Sequence, residues 1–97
     1  MMQREGGLLR VSGRLTMDTI GTSFAEAMQP LEGKEWVVDL AQVEAADSAA
    51  VSLMLGWQRN AQRHEAKLTL VNVPENLRSL ADLYGVARAL PLSNLSK

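Results

Sequence analysis

Val43-Glu44-Ala45-Ala46-Asp47-Ser48-Ala49-Ala50-Val51-Ser52-Leu53-Met54-Leu55-Gly56-Trp57 is the stretch whose reading decides the fold. It reads as a short loop after a strand and then as a helix opened by Asp47 and Ser48. Both residue types cap helices well, because a side-chain oxygen accepts from the free N–H groups of the first turn. From Ala49 to Trp57 the only polar side chain is Ser52, so the first two turns are apolar nearly all round. A helix lying on a sheet needs an apolar stripe over about a third of its circumference. The excess has two explanations. Either the helix is wedged between a sheet and a neighbouring helix, or its N-terminal side docks another protein.

The surroundings of this stretch set the topology. Upstream, Lys34-Glu35-Trp36-Val37-Val38-Asp39-Leu40 is the clearest strand, with Trp36, Val38 and Leu40 on one face and Val37 and Asp39 on the other. Its apolar majority on both faces predicts a central, mainly buried strand. Asp39 reads as a carboxylate bonded to loop N–H groups at the strand edge. Downstream, the helix is expected to run to about Glu65, with a polar, solvated second half in which Ala61 is the one small contact. Lys67 to Val73 alternates as another strand. Pro74 suits the first turn of a helix, in which Leu77, Leu80, Ala81 and Tyr84 form a core stripe and Gly85 is the C′ terminator.

Toward the N-terminus, Thr16 to Met28 is predicted as the first helix, capped by Thr16 or Asp18. Ile20, Phe24, Ala27, Met28 and Leu31 recur there at the helical period. Leu8 to Leu15 alternates as a strand bent at Gly13, and residues 2–5 pair back across Gly6-Gly7 as a hairpin strand. Val86 to Leu92 is expected to give a last short strand. The alternation of strands and helices predicts an α/β domain spanning 1–97. Its sheet is mixed, mostly parallel, of four to five strands, with three main helices.

Composition removes several function classes. A net charge of −1 lacks the basic surplus that nucleic acid or an anionic membrane would require. Without cysteine, disulfides, thiolate metal sites and cysteine nucleophiles are excluded. Met1-Met2-Gln3-Arg4-Glu5-Gly6-Gly7 has no apolar signal-type segment, and no apolar run approaches the ~20 residues of a membrane span. These features predict a cytoplasmic protein. His64 lies about 24 Å along the helix from Ser48 at 1.5 Å per residue, too far for the contact a catalytic serine and histidine need. Asp39, Glu44 and Asp47, read as one loop region, are the acids that could hold Mg²⁺ or Ca²⁺ for an enzyme, but their spacing matches no ion-binding loop. No Gly-rich phosphate loop is present. The residues thus predict no catalytic, cofactor or metal site, and leave a protein partner.

Val38-Asp39-Leu40 followed by Val43-Glu44-Ala45-Ala46-Asp47-Ser48-Ala49-Ala50-Val51 resembles the motif of the STAS domain family, which includes the anti-sigma factor antagonists. In those antagonists the serine after the aspartate is phosphorylated, and it maps onto Ser48. Their glycine two places further on is Ala50 here, and their branched residue before the aspartate is Ala46. Leu80-Ala81-Asp82-Leu83-Tyr84-Gly85-Val86-Ala87-Arg88-Ala89-Leu90-Pro91 is similar to the C-terminal segment of MlaB-like STAS subunits of phospholipid ABC transporters. The resemblance implies a non-catalytic subunit, held at the inner membrane only through its complex, that binds the ABC transporter's ATPase subunit through Asp47, Ser48, Ala49, Ala50, Val51 and Ser52. Leu83 is a weaker candidate contact. The alternative it implies is an anti-sigma factor antagonist whose partner is an anti-sigma factor kinase and whose switch is phosphorylation of Ser48.

Overall fold

Alternation along the strands gives the sheet one buried face. The computed structural model describes residues 2–20 and 24–85. Four strands, β1 (Met2–Glu5), β2 (Leu8–Leu15), β3 (Glu35–Ala46) and β4 (Lys67–Val71), lie in the spatial order β1-β2-β3-β4. β1 and β2 form the expected antiparallel hairpin across Gly6-Gly7, and β2–β3 and β3–β4 are parallel. Leu9, Val11 and Leu15, then Trp36, Val38 and Leu40, then Leu68 and Leu70 are all buried on one side. The other side, with Arg10 exposed and Val37, Asp39, Thr69 and Val71 half-buried, has no second layer among the described residues. The prediction of a strand buried on both faces is corrected accordingly.

Among the described residues, helical segments cover the apolar face: α1 (Met17–Ile20), α2 (Phe24–Ala27), α3 (Ser48–Arg63) and α4 (Glu75–Leu83). Of the single first helix predicted over 16–28, the described residues are helical at Met17–Ile20 and Phe24–Ala27. The predicted strand over 86–92 lies outside the described residues. α3 turns Ala50, Val51, Leu53, Met54, Trp57 and Ala61 into the core. Burial of each larger side chain contributes about 1.5–3 kcal/mol, so α3 is the element on which the apolar layer is assembled. Its apolar excess is largely consumed by α1 and α2 on its flank, as the wedged reading expects.

α2 is held in an unusual way. The carbonyls of Glu26, Ala27, Met28 and Gln29, at its C-terminal end and just beyond it, each accept from a side chain elsewhere in the fold. Arg4 of β1 donates to Glu26 O and, at 3.0 Å, to Gln29 O. The buried Trp57 indole N–H donates to Ala27 O at 2.9 Å, and Asn60 Nδ2 to Met28 O at 2.7 Å. Asn60 is therefore a buried structural residue, not part of the solvated half of the helix predicted from its polar composition. Gly56 lets α2 approach: a Cβ there would lie 3.0 Å from Met28 Sδ.

Two further expectations change. Phe24 is 44% exposed and Tyr84 is 52% exposed, so neither completes a core stripe. In α4 the stripe ends with Leu77 and Ala81, because the helix stops at Leu83. Gly85 then adopts φ +71, the left-handed conformation expected of a C′ residue. β4 ends at Val71 because Asn72 takes φ +56, and α3 ends at Arg63, with His64 as its C-cap.

Candidate docking surface

The segment 43–46, expected as a loop, is strand. Pairing with β2 imposes it: Gly13 lies opposite Val43, Arg14 opposite Ala45 and Leu15 opposite Ala46. β3 carries an extra residue between Asp39 and Gln42 and another between Val43 and Ala45, and each bulge inverts the alternation. The resulting pattern has no period-two signature to read. Asp39 sits at the first bulge, where Oδ1 accepts from Ala41 N at 3.0 Å and from Asn72 Nδ2 at 3.1 Å. The role is structural, as expected, but the donors are a backbone N–H within β3 and a side-chain amide rather than loop N–H groups.

β3 therefore delivers the chain directly to Asp47, whose N–H bonds Leu15 O at 3.2 Å. Asp47, not Ser48, is the N-cap of α3. Its backbone is extended, and Oδ1 accepts from Ala49 N at 2.8 Å. Oδ2 accepts from Met17 N, the first residue of α1, at 3.1 Å. One carboxylate thus ties the starts of two helices together. Thr16 opens α1: its carbonyl accepts from Thr19 N and Ile20 N, and its own N–H donates to Thr19 Oγ1 at 3.1 Å. The Thr16 hydroxyl donates to Asp18, and this bond together with a backbone N–H holds the Asp18 carboxyl below its ordinary value.

The six residues predicted to bind a partner divide between inside and outside. Ser48 and Ser52 are exposed, one turn apart. Asp47 and Ala49 are half-buried. Ala50 and Val51 are buried in the core and present no side chain to a partner, which corrects their place in the predicted patch. The helical period explains this: a run of 47–52 circles the whole helix, so about half of it must face the sheet. Continuing outward from Ser48 and Ser52, the same face carries half-buried Leu55 and Gly56, then exposed Arg59 and Arg63. Met17, 72% exposed, and Phe24 stand beside it on α1 and α2. Those two were missed because the sequence assigns Phe24 to a core stripe and gives Met17 no role. Leu83 is 77% exposed, at the end of α4.

Among the described residues, His64 and the acids Asp39 and Glu44, weighed from the sequence, lie apart from this face. His64 is at the far end of α3, its Nδ1 2.9 Å from Asn60 O, and its ring is tilted against Trp36 at 5.5 Å. Asp39 and Glu44 lie on β3, not in one loop with Asp47. Among the described residues no three histidines or acids come together as a metal site would require. Among the same residues, no helix is long and apolar enough to cross a membrane.

An α/β layer with a mixed, mostly parallel sheet, a hairpin at its N-terminal edge and a long helix opened by an aspartate cap defines the STAS class of fold. The anti-sigma factor antagonist SpoIIAA, solved in its unphosphorylated form, has the same fold. It aligns with a TM-score of 0.66 at 19% identity, covering 98% of this chain and 85% of that one. The model of the family described as "Mlab, STAS domain" matches residues 1–93, and the chain belongs to that family. No curated protein matches the sequence. STAS domains act in protein–protein interactions and are generally regulatory or accessory proteins without catalysis.

Proposed function

We infer that this chain is a non-catalytic, single-domain accessory subunit that binds the ATPase subunit of a phospholipid-transporting ABC complex. In that role it supports the assembly and activity of the ATPase in maintaining outer-membrane lipid asymmetry. It works from the cytoplasmic side, reaching the inner membrane through its partner alone. The observation that carries the reading is an outward face on the most firmly anchored helix: Ser48 and Ser52 exposed beside Met17 and Phe24, with the opposite side of α3 buried. Small side chains allow a partner helix to approach closely, while the exposed methionine and phenylalanine supply apolar contact at its borders. The family match over 1–93 supports the assignment to the MlaB type.

Co-purification with the ATPase subunit tests it. Ser48→Glu and Ser52→Glu change only exposed positions, so the fold should persist while the complex is lost. A complex that survives both substitutions overturns this docking face. Val51→Asp is unsuitable as a probe, because it places a charge in the core.

A second reading is an anti-sigma factor antagonist switched by phosphorylation of Ser48. It is favoured by one feature: the cap of α3 is Asp47, so the exposed Ser48 hydroxyl makes no hydrogen bond among the described residues and a phosphate would not uncap the helix. A phosphoryl group would add nearly two negative charges at the helix N-terminus. Incubation with an anti-sigma kinase and ATP should then yield phosphoserine at position 48. Its absence rejects this reading and leaves the first untouched.

A further inference from the structure

The outward stripe of α3 is divided by chemistry. Ser48 and Ser52 are small and uncharged, while Arg59 and Arg63 are exposed cations one turn apart. Between the two parts, Met28 and Phe24 fill the space over Gly56, so open surface resumes at Arg59. From Ser48 to Arg63 the helix holds no aspartate or glutamate. Neither arginine has a carboxylate within 4.0 Å among the described residues. Like charges at i, i+4 destabilise a helix, and here no local anion offsets them. The dipole at the helix C-terminus accounts for Arg63, which lies in the last turn. It does not account for Arg59, a turn earlier, because the effect falls off within that last turn. Asp18, exposed on α1 at the opposite end of the face, is too far away to compensate. Ser48 and Arg59 alone are about 16 Å apart along the axis, beyond the Debye length of ~10 Å at ~0.1 M salt. The chain as a whole has a net charge of −1, so this cationic patch stands on an otherwise acidic molecule.

We propose that the partner docked on this face presents an acidic surface to Arg59 and Arg63, so that the ATPase subunit packs closely on Ser48 and Ser52 and sets carboxylates against the two arginines. This rests on the docking reading above and names what that partner must carry. Arg59 follows Ser52 by two helical turns, about 10 Å along the axis, so a partner laid along α3 reaches both. A guanidinium matches a carboxylate as a two-pronged fork, and acidic side chains one helical turn apart on the partner fit Arg59 and Arg63 together. Exposed charges at the rim of an interface act mainly before contact. They steer the encounter and fix its register, and their loss changes the association rate and its salt dependence more than the lifetime of the complex. Ser48 and Ser52, at the point of closest approach, govern the lifetime instead.

Association kinetics of the full chain with the purified ATPase subunit test it. At ~0.1 M salt Arg59→Glu should slow association by about tenfold, with dissociation unchanged within about twofold. Arg59→Glu combined with Arg63→Glu should slow it further. The difference from wild type should vanish at ~0.5 M salt, because both cations are solvent-exposed. Arg10→Glu makes the same change of net charge on the far side of the sheet and should associate at the wild-type rate. Equal slowing by Arg10→Glu and Arg59→Glu would mean that net charge alone matters, and overturns the proposal. A complex lost in Ser48→Glu but formed at the wild-type rate or faster by Arg59→Glu also overturns it, and leaves the docking reading standing. A wild-type chain that does not bind the ATPase subunit at all removes both. Phosphatidylglycerol vesicles separate out the other source of negative charge. The wild-type chain should not bind them at ~0.1 M salt; binding that is lost in Arg59→Glu would assign the arginines to lipid and overturn the acidic partner.

Discussion

Asp47 is where the sequence, the fold and the proposed docking face meet, and its removal has a calculable cost. Asp47→Ala deletes two bonds at once: Oδ1 to Ala49 N at 2.8 Å and Oδ2 to Met17 N at 3.1 Å. Loss of an N-cap costs about 0.5–2 kcal/mol, typically ~1. The second bond has a charged acceptor, and such bonds contribute about 1.5–3 kcal/mol. Asp47 is half-buried, so water replaces part of each, and a total of about 2 kcal/mol is expected. For a domain of this size that corresponds to a fall in Tm of roughly 8–16 °C. Asp47→Asn separates the two bonds. Its carbonyl still caps α3, while its amide nitrogen cannot accept from Met17 N–H, so about half of the loss should remain. Urea unfolding followed by circular dichroism and by the buried Trp36 and Trp57 measures this directly. The midpoint should fall in the order wild type, Asn, Ala at unchanged m-value. An alanine variant within ~0.5 kcal/mol of wild type, or an asparagine variant as unstable as alanine, refutes the shared-carboxylate account.

Other consequences are as specific. Gly7→Ala should cost about 1–3 kcal/mol, because its Cβ would lie 2.6 Å from Glu35 O; a urea midpoint equal to wild type would contradict that close approach. Trp57→Phe keeps the apolar ring but leaves Ala27 O without its 2.9 Å donor, a loss of about 1–3 kcal/mol for an unsatisfied buried acceptor, with faster amide exchange in α2 as the specific signature. Asp18 gives a pH test with a defined sign. Its folded carboxyl titrates below the ordinary value of 3.8, chiefly through the Thr16 hydroxyl. The stabilisation is therefore complete above the unfolded pKa and is lost as pH falls through the folded one. Thermal melts between about pH 5 and pH 2 should show the wild type losing more stability than Asp18→Asn; parallel curves would remove Thr16–Asp18 as a cause.

Legibility followed local physics. β2, β4, the hairpin and α4 were readable because their periodicity and punctuation are local: alternation in Leu8–Val11, a glycine pair at 6–7, Gly85 after a helix. The end of β3 was not, since Val43 to Ala46 becomes strand only by pairing with β2 across two bulges, and a bulge erases the alternation that identifies a strand. Asn60 was unreadable for a related reason. A buried amide is recognisable only from its acceptor, and Met28 O is 32 residues away. What the sequence did contain was Asn60's position three residues after Trp57, on the buried side of α3.

The candidate face shows the same division. Asp47-Ser48 marks the start of α3, but a contiguous run was assigned to the surface where helical geometry permits only part of it. Ala50 and Val51 went inward, and the exposed series became Ser48, Ser52, Arg59 and Arg63. This separation has a mechanical consequence. The buried residues fix α3 against the sheet, while Trp57 and Asn60 hold α2, and with it Phe24, at the border of the face. Asp47 fixes Met17 at the other border. The face is thus assembled from α1, α2 and α3, and residues buried beneath it set its shape. Asp47→Asn should weaken partner binding by displacing Met17 even though the cap of α3 survives. Binding by the asparagine variant indistinguishable from wild type, alongside a measured loss of stability, would confine Asp47 to folding and return the docking role to Ser48 and Ser52 alone.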